Sequence, residues 1–211
     1  MNNGPRIVIS VELTTPMDDY LDALKEAAAK FVLYDVPEGA RIGVTSFTDA
    51  EAKEELELTT VSDDDDSRQD IVDAVEGLST AAIDVDCVGK GLGESLEVGK
   101  DFKIRRSLKS TLHKLFSSIL QTLGDSGIIM LFTAGSENQC TDPEDDLEPV
   151  AESTVRLMNV AFSAESDAEL DELASETNGI SYTVETSGIL SLYRLHFHAT
   201  YRCTFVDIRL S

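Results

Sequence analysis

The chain alternates between short runs of apolar residues and longer segments in which apolar residues recur every three or four positions. The runs at Arg6–Glu12 and 128–133 are apolar at nearly every position, which is typical of strands at the centre of a parallel sheet covered on both faces. In residues 51–61, Leu56 and Leu58 alternate with charged residues, which indicates an exposed edge strand. Further strands are predicted over residues 41–47, 154–162 and 180–184.

Helical spacing occurs between these strands. After Pro16 the apolar residues repeat as on one helix face, and Asp18 and Asp19 occupy the first turn, where the helix dipole favours anions. Further helices are predicted from near residue 68, after residue 91, and over residues 167–175. Strands that alternate with helices predict an α/β fold with a doubly wound, mostly parallel sheet and one antiparallel edge strand.

Four consecutive carboxylates, residues 63–66, precede the helix predicted near Arg68. A calcium loop is one interpretation, but the run lacks the alternating ligands and the turn glycine that such a loop needs. The other interpretation, which the sequence favours, is a cluster of anions at a helix N-terminus.

The composition limits the size of the protein and the class of its partners. With 211 residues the chain is long enough for one α/β domain and an extension of a few tens of residues. The net charge is −23, so nucleic acid is not expected as a partner, because neutralising phosphates requires a basic face. The charge favours cations and basic partners, although a solvated acidic surface explains most of it.

Two observations concern the compartment. No stretch of about 18 apolar residues occurs, so no transmembrane segment is expected, and the first residues lack the apolar core and cleavage site of a secretory signal. The protein is therefore intracellular, or this chain is a fragment or isoform without its natural start. Three cysteines leave at least one unpaired and do not decide between these alternatives.

Both central strands end in a polar turn. The first turn reads Glu12-Leu13-Thr14-Thr15-Pro16, and the second reads Thr133-Ala134-Gly135-Ser136-Glu137-Asn138. In order and spacing these turns resemble two corners of the von Willebrand factor A (VWA) family. In that family the corners read D-x-S-x-S and T-D-G, and their oxygens hold a divalent cation against which a partner protein docks. The resemblance implies one VWA-like domain over residues 6–184.

Further segments are similar, in the same order, to the VWA domain of the calcium-activated chloride channel regulators. They are residues 29–32, 37–44, 86–92, 135–140 and 171–179. This resemblance implies a protein-interaction domain outside the cell or at the cell surface, with an effect on chloride conductance. Relatives of this kind also carry a zinc protease region, but this chain has no H-E-x-x-H motif, so any channel effect would come from binding alone.

The cation site of the family can be carried over residue by residue. Its first corner supplies an aspartate and two serines, which here are Glu12, Thr14 and Pro16. The threonine of a second loop aligns with Asp86, and the aspartate of T-D-G aligns with Ala134. Glu12, Thr14 and Asp86 would then form a degenerate site that binds Mg²⁺ or Ca²⁺ weakly, since magnesium demands near-ideal octahedral geometry. The alternative is a site without an ion, whose two acids are solvated at the top of the sheet.

Open α/β sheets bind their ligands at the carboxyl ends of the strands. A partner could therefore bind there with or without an ion. The candidates for direct hydrogen bonds to a protein partner, such as a channel or a matrix protein, are Thr15, Ser136, Glu137 and Asn138.

Cys87 and Cys140 each follow one of these corners. The resemblance implies an extracellular protein, for which a disulfide between the two is expected. Two free thiols are the alternative.

Residues 100–125 read as a basic helical insertion into the family's domain. Six of the 17 basic residues lie between Lys100 and Lys114, and the apolar residues fit one helical face. A basic amphipathic helix can contact an anionic membrane surface, here through residues 100–120, or fill a groove of a partner. An ordinary surface helix packed on its own domain is the alternative.

Residues 185–211 form a C-terminal extension that the family does not explain. From Tyr193 to Phe205 apolar and polar residues alternate, which predicts a β-strand and the start of a truncated β domain. His196 and His198 share one face of this strand, but no third ligand is near, so a polar face is favoured over a zinc site.

Enzyme motifs are absent from the chain. It has no G-x-S-x-G, no P-loop and no G-x-G-x-x-G after the first strand, and no histidine lies in a catalytic pattern. The sequence therefore predicts a non-enzymatic interaction domain with weakened or lost cation-dependent adhesion, and an α/β enzyme is disfavoured. An intracellular VWA scaffold that works without metal is the alternative.

Overall fold

The computed structural model describes residues 4–48, 52–82, 88–99, 127–134, 150–151, 153–162 and 168–184. Its centre is a six-stranded sheet in the order β3-β2-β1-β4-β5-β6. The strands are β1 (Arg6–Glu12), β2 (Arg41–Phe47), β3 (Ala52–Thr60), β4 (Gly127–Thr133), β5 (Arg156–Ala161) and β6 (Ile180–Thr183). β3 lies at one edge and is antiparallel to β2, and the other pairs are parallel. The predicted α/β fold is confirmed.

The helices with bounds in the described part of the chain are α1 (Asp18–Lys30), α2 (Asp65–Glu76), α3 (Val88–Gly99) and α4 (Ala168–Glu176). None of the described helices is long and apolar enough to cross a membrane. The predicted helical insertion, 100–125, and the predicted C-terminal extension, 185–211, lie outside the described residues.

Apolar side chains bury both faces of the sheet, which explains the nearly continuous apolar runs. On one face, alternate residues of β1 and β4 pack in a single cluster with Leu24 of α1 and Ile71 of α2. On the other face, Ile129 and Leu131 of β4 pack with side chains of α3 and α4. Strands covered on both sides are the expected setting for a parallel sheet.

The acidic run before α2 forms a helix cap. Asp64 is the N-cap residue, and its Oδ1 accepts hydrogen bonds from the Ser67 amide at 3.1 Å and the Ser62 hydroxyl at 2.7 Å. The hydrogen bond from Ser62, and then that from Ser67, holds the pKa of Asp64 below its usual value. The interpretation as an anion cluster at a helix N-terminus is thus confirmed.

The helical segment after Pro16 is less regular than its spacing predicts. A short 3-10 helix, Thr15–Met17, precedes α1, and a turn of π-helix, Phe31–Asp35, follows it. The Arg68 side chain, from α2, donates to the carbonyl of Val36 at 3.0 Å and also to that of Val32. Carbonyls at the end of a helix have no partner within the helix, so these contacts stabilise its termination.

Candidate functional site

Two chain corners meet at the carboxyl edge of the sheet. β1 and β4 are parallel neighbours, with Val11 opposite Phe132, so both strands end at the same edge. β1 continues into Leu13 and Thr14, and β4 continues into Ala134. The Leu13 amide donates to the Phe47 carbonyl at 2.9 Å, which attaches the first corner to the end of β2 as well.

The Glu12 carboxylate lies between the two corners. Its Oε2 accepts a hydrogen bond from the Thr133 hydroxyl at 2.6 Å and another from the Ala134 amide at 2.7 Å. Its Oε1 accepts a hydrogen bond from the Thr14 hydroxyl. We call these three hydrogen bonds the Glu12 bridge. It connects the end of β1, the loop that follows β1, and the end of β4.

Strand geometry explains why Glu12 reaches β4. Side chains alternate between the faces of a strand, so Glu12 lies on the face of Ser10, whose hydroxyl donates to the Gly91 carbonyl of α3 at 3.5 Å. Adjacent strands are about 4.8 Å apart, so a side chain at the end of one strand can contact the end of the next. Glutamate has one methylene more than aspartate, and its carboxylate extends to Thr133 and Ala134.

Burial makes these hydrogen bonds energetically important. Glu12 is 2% exposed, and its partners Thr14 and Thr133 are each 1% exposed. A buried charge without partners is strongly unfavourable, whereas three donors directed at one carboxylate compensate for lost hydration. The alternative in which the acids at this edge are solvated is therefore wrong for Glu12.

Thr14 combines two roles at the first corner. It is the N-cap of the Thr15–Met17 turn, with an extended backbone at φ −92° and ψ 166°, and its carbonyl accepts from the Met17 amide at 3.0 Å. Its side chain is directed to Glu12, so the polar turn is held from inside the fold. Thr15 and Pro16, the next two residues, are exposed and form the outer surface of this corner.

A third part of the chain adjoins the first corner. The Ala81 amide donates to the Leu13 carbonyl at 2.7 Å, and the Thr80 hydroxyl donates to the carboxylate of Asp18 at the start of α1. The chain that leaves α2 therefore passes beside the end of β1.

Several predicted site residues lie outside the described residues, so their positions remain predictions. They are Asp86, Cys87, Ser136, Glu137, Asn138 and Cys140. Of the three predicted ion ligands, Glu12 and Thr14 lie within the described residues, where their side chains are hydrogen-bonded to each other.

Sequence reasoning missed two members of this corner, the Thr133 hydroxyl and the Ala134 amide. Ala134 was considered only as a position without a side-chain oxygen, but its backbone donates to Glu12. Two features of the sequence could have indicated this contact. Glu12 is longer than the aspartate of the family, and the second corner has Ala134 in place of a carboxylate.

The oxygen atoms of the described residues do not by themselves form a coordination shell for a divalent cation. No group of three or more His, Cys, Asp or Glu side chains converges within the described residues. The Glu12 oxygens face N–H and O–H donors, and Ala134 supplies no side-chain oxygen. Divalent cations such as Mg²⁺ and Ca²⁺ need about six oxygen ligands, so the described corner would have to rearrange to bind one.

A family comparison is consistent with this arrangement of strands and corners. The model of the von Willebrand factor type A domain matches residues 10–194. The chain belongs to this family. VWA domains are generally protein-interaction modules rather than enzymes, and some of them carry a metal-ion-dependent adhesion site (MIDAS). No curated protein sequence matches this VWA domain.

Solved structures share the fold at low sequence identity. Proximal thread matrix protein 1 from the mussel byssus, with zinc in its MIDAS motif, is 15% identical with a TM-score of 0.67, over 94% of this chain and 46% of the mussel protein. The chain thus spans less than half of that protein's length. The VWA domain of SpRpn10 is 12% identical with a TM-score of 0.58, over 89% of this chain and 94% of that domain.

A third similar structure is an aerotolerance-related membrane protein from Bacteroides fragilis, crystallised with multiple mutations to serine. It is 14% identical with a TM-score of 0.58, over 93% of this chain and 100% of that chain. At such identities the likeness establishes a common fold.

Proposed function

We propose that this VWA domain is a non-enzymatic protein-interaction domain that binds its partner at the carboxyl edge of the sheet, with a degenerate cation site. The observation that carries the proposal is the Glu12 bridge. Glu12, Thr14 and the end of β4 lie together at one corner of the sheet, as the ligand-bearing segments of an adhesion site would. The Glu12 carboxylate, however, accepts its hydrogen bonds from the protein itself. The outer surface of that corner begins at the exposed Thr15.

The family supports a binding role, and the exchanged ligands support weak or absent cation dependence. In the mussel protein the MIDAS motif holds zinc. In this chain Pro16 and Ala134 replace two oxygen-bearing residues of the family pattern. A partner would then form hydrogen bonds directly with Thr15 and with Ser136, Glu137 and Asn138, instead of sharing an ion.

We further propose that the domain acts as chloride channel regulator domains do, outside the cell or at the cell surface. Its support is the colinear set of similar segments, including residues 29–32, 86–92 and 171–179. A disulfide between Cys87 and Cys140 belongs to this proposal, because disulfides persist in oxidising compartments. Mass spectrometry of the secreted protein without reductant tests that disulfide.

Current recording tests the proposed effect on chloride conductance. Purified chain is applied outside cells that carry a calcium-activated chloride conductance, and whole-cell current is measured. We expect the wild type to change the current and Thr15→Arg, at the proposed surface, to remove the effect. Thr154→Arg is the matched control, because Thr154 is an exposed threonine before β5, at the opposite edge of the sheet. Equal effects of both variants would contradict a binding surface at the carboxyl edge.

An intracellular scaffold is the second candidate, since nothing in the Glu12 bridge requires an extracellular cation. Expression of the full natural transcript with a C-terminal tag separates the two candidates. Tagged protein in the medium or on the cell surface supports the first, and tagged protein confined to the cytosol supports the scaffold.

A further inference from the structure

We propose that the Glu12 bridge takes the mechanical place of a bound cation, holding the carboxyl ends of β1 and β4 in one conformation without any metal. A cation in such a corner connects the chain segments that supply its oxygens. Here one carboxylate connects residues that are 121 positions apart, Glu12 and Thr133. The Glu12 bridge therefore connects, through protein hydrogen bonds alone, the two segments that a cation would otherwise connect.

The division of the two carboxylate oxygens supports this role. Oε1 is directed to the β1 loop through Thr14, while Oε2 is directed to β4 through Thr133 and Ala134. Each oxygen thus holds a different segment, and neither faces open solvent, because Glu12 is 2% exposed. If Glu12 were only the remnant of a lost cation site, hydrogen-bond donors to both of its carboxylate oxygens would not be required.

Donor chemistry makes the bridge and an ion at Oε2 mutually exclusive. The Ala134 amide at 2.7 Å and the Thr133 hydroxyl at 2.6 Å both direct hydrogen atoms at Oε2, which uses its two lone pairs. A cation at that oxygen would displace one donor, and a buried donor such as the Ala134 N–H would lose its charged acceptor, which is costly. Millimolar Mg²⁺, Ca²⁺ or Zn²⁺ should therefore leave the corner unchanged.

Side-chain length is the critical property of Glu12. Glu12→Asp keeps the charge but shortens the side chain by one methylene, so its carboxylate loses contact with the Ala134 amide. Glu12→Gln keeps the length, and its carbonyl oxygen still accepts from Ala134 while the Thr14 hydroxyl can rotate to accept from the amide. The bridge thus predicts that glutamine replaces glutamate better than aspartate does.

Hydrogen exchange of the Ala134 amide measures the bridge directly in the full chain. We expect slow exchange in the wild type, identical in EDTA and in millimolar Mg²⁺, Ca²⁺ or Zn²⁺. In Glu12→Asp we expect exchange about ten- to hundred-fold faster, since a hydrogen bond to a charged group stabilises more than a neutral one. Glu12→Gln should change it less. Glu54→Asp, at an exposed position of β3, is the matched control and should leave it unchanged.

Three results would overturn the proposal. The first is fast exchange at Ala134 in the wild type in EDTA, and the second is a wild-type Ala134 exchange rate that responds to any of the three ions when ionic strength is held constant. The third is slow exchange in a folded Glu12→Asp variant. The first two need no substitution, so the test holds even if that variant does not fold. All readouts use the isolated chain, so they do not depend on the proposed partner.

Discussion

Gly91 of α3 lies directly against the ring of Phe47 at the end of β2, so closely that a Cβ at residue 91 would overlap ring atoms. Phe47 is 1% exposed and cannot move away into solvent. The Phe47 carbonyl also accepts the Leu13 amide of the first corner. The approach of α3 to the sheet is thus coupled to the edge that carries the candidate site.

Gly91→Ala should destabilise the domain although alanine favours helices. Overlap with Phe47 costs about 1–3 kcal/mol, and the helical preference of alanine offsets about 1 kcal/mol of this, so we expect a net loss of up to about 2 kcal/mol. Gly93→Ala, in the same helix, is the matched control, because a Cβ there meets nothing within 4 Å. It should stabilise by about 0.5–1 kcal/mol. Urea unfolding measures both, and equal effects would refute the close contact.

Removing the Glu12 side chain should cost more than removing an exposed glutamate. Glu12→Ala removes the carboxylate that accepts from the Thr133 hydroxyl and from the buried Ala134 amide. We expect the free energy of unfolding to fall by about 2–4 kcal/mol, because hydrogen bonds to a charged group are lost and a buried amide loses its acceptor. Glu54→Ala, exposed on β3, should change it by less than about 0.5 kcal/mol. Similar losses in both variants would be inconsistent with the bridge.

Thr177 attaches α4 to the neighbouring strand. Its hydroxyl accepts from the Leu157 amide of β5 at 3.1 Å and donates to the Leu173 carbonyl at 2.9 Å. Thr177→Val keeps the shape but removes the acceptor, so we expect a loss of about 1–3 kcal/mol in chemical denaturation. Thr183→Val, at an exposed position of β6, is the control and should be nearly neutral. Stability retained in Thr177→Val would argue against this attachment.

The α2 cap should make stability depend on acid pH. The pKa of Asp64 is lowered by its hydrogen bonds with Ser62 and Ser67, so its contribution is present above the pKa of the unfolded chain. It is lost as pH falls through the lower, folded pKa. The Tm difference between wild type and Asp64→Ala should therefore be full at neutral pH and shrink in strong acid.

Two variants serve as controls for the cap. Asp64→Asn keeps a capping acceptor that does not titrate, so its Tm should lose less on acidification than that of the wild type. Asp63→Ala removes an exposed carboxylate beside the cap and should have a smaller effect at neutral pH. A pH-independent difference between wild type and Asp64→Ala would contradict the assignment.

Several elements of the fold could be predicted from local pattern. β1 and β2 were predicted with the observed bounds, Arg6–Glu12 and Arg41–Phe47. β1 is nearly continuously apolar, and the turn at Pro37-Glu38-Gly39 precedes β2. The helix predicted over residues 167–175 is α4, Ala168–Glu176, and Asn178 and Gly179 form its C-terminal turn. Asn178 has φ 54°, and the Gly179 amide donates to the Ala174 carbonyl at 2.8 Å, as helix C-termini commonly do.

Other features did not follow from local pattern. The π-helical turn at Phe31–Asp35 continues the apolar spacing of α1, so its change of hydrogen bonding leaves no mark in the sequence. The bonds from Arg68 to the carbonyls of Val32 and Val36 join residues more than thirty positions apart. They exist only once α2 has packed beside α1.

By itself the sequence determined the strands, the helices, the acidic cap and the two corners of a VWA domain, because these depend on residues that are neighbours in the chain. Only the tertiary structure decided what Glu12 does. Its hydrogen bonds to Thr133 and Ala134 require β1 and β4 to pair in register, and its side chain lies on the face of β1 where Ser10 contacts Gly91 of α3. Both conditions arise from contacts between distant segments, so the same glutamate could not be distinguished from a solvated acid before the chain was folded.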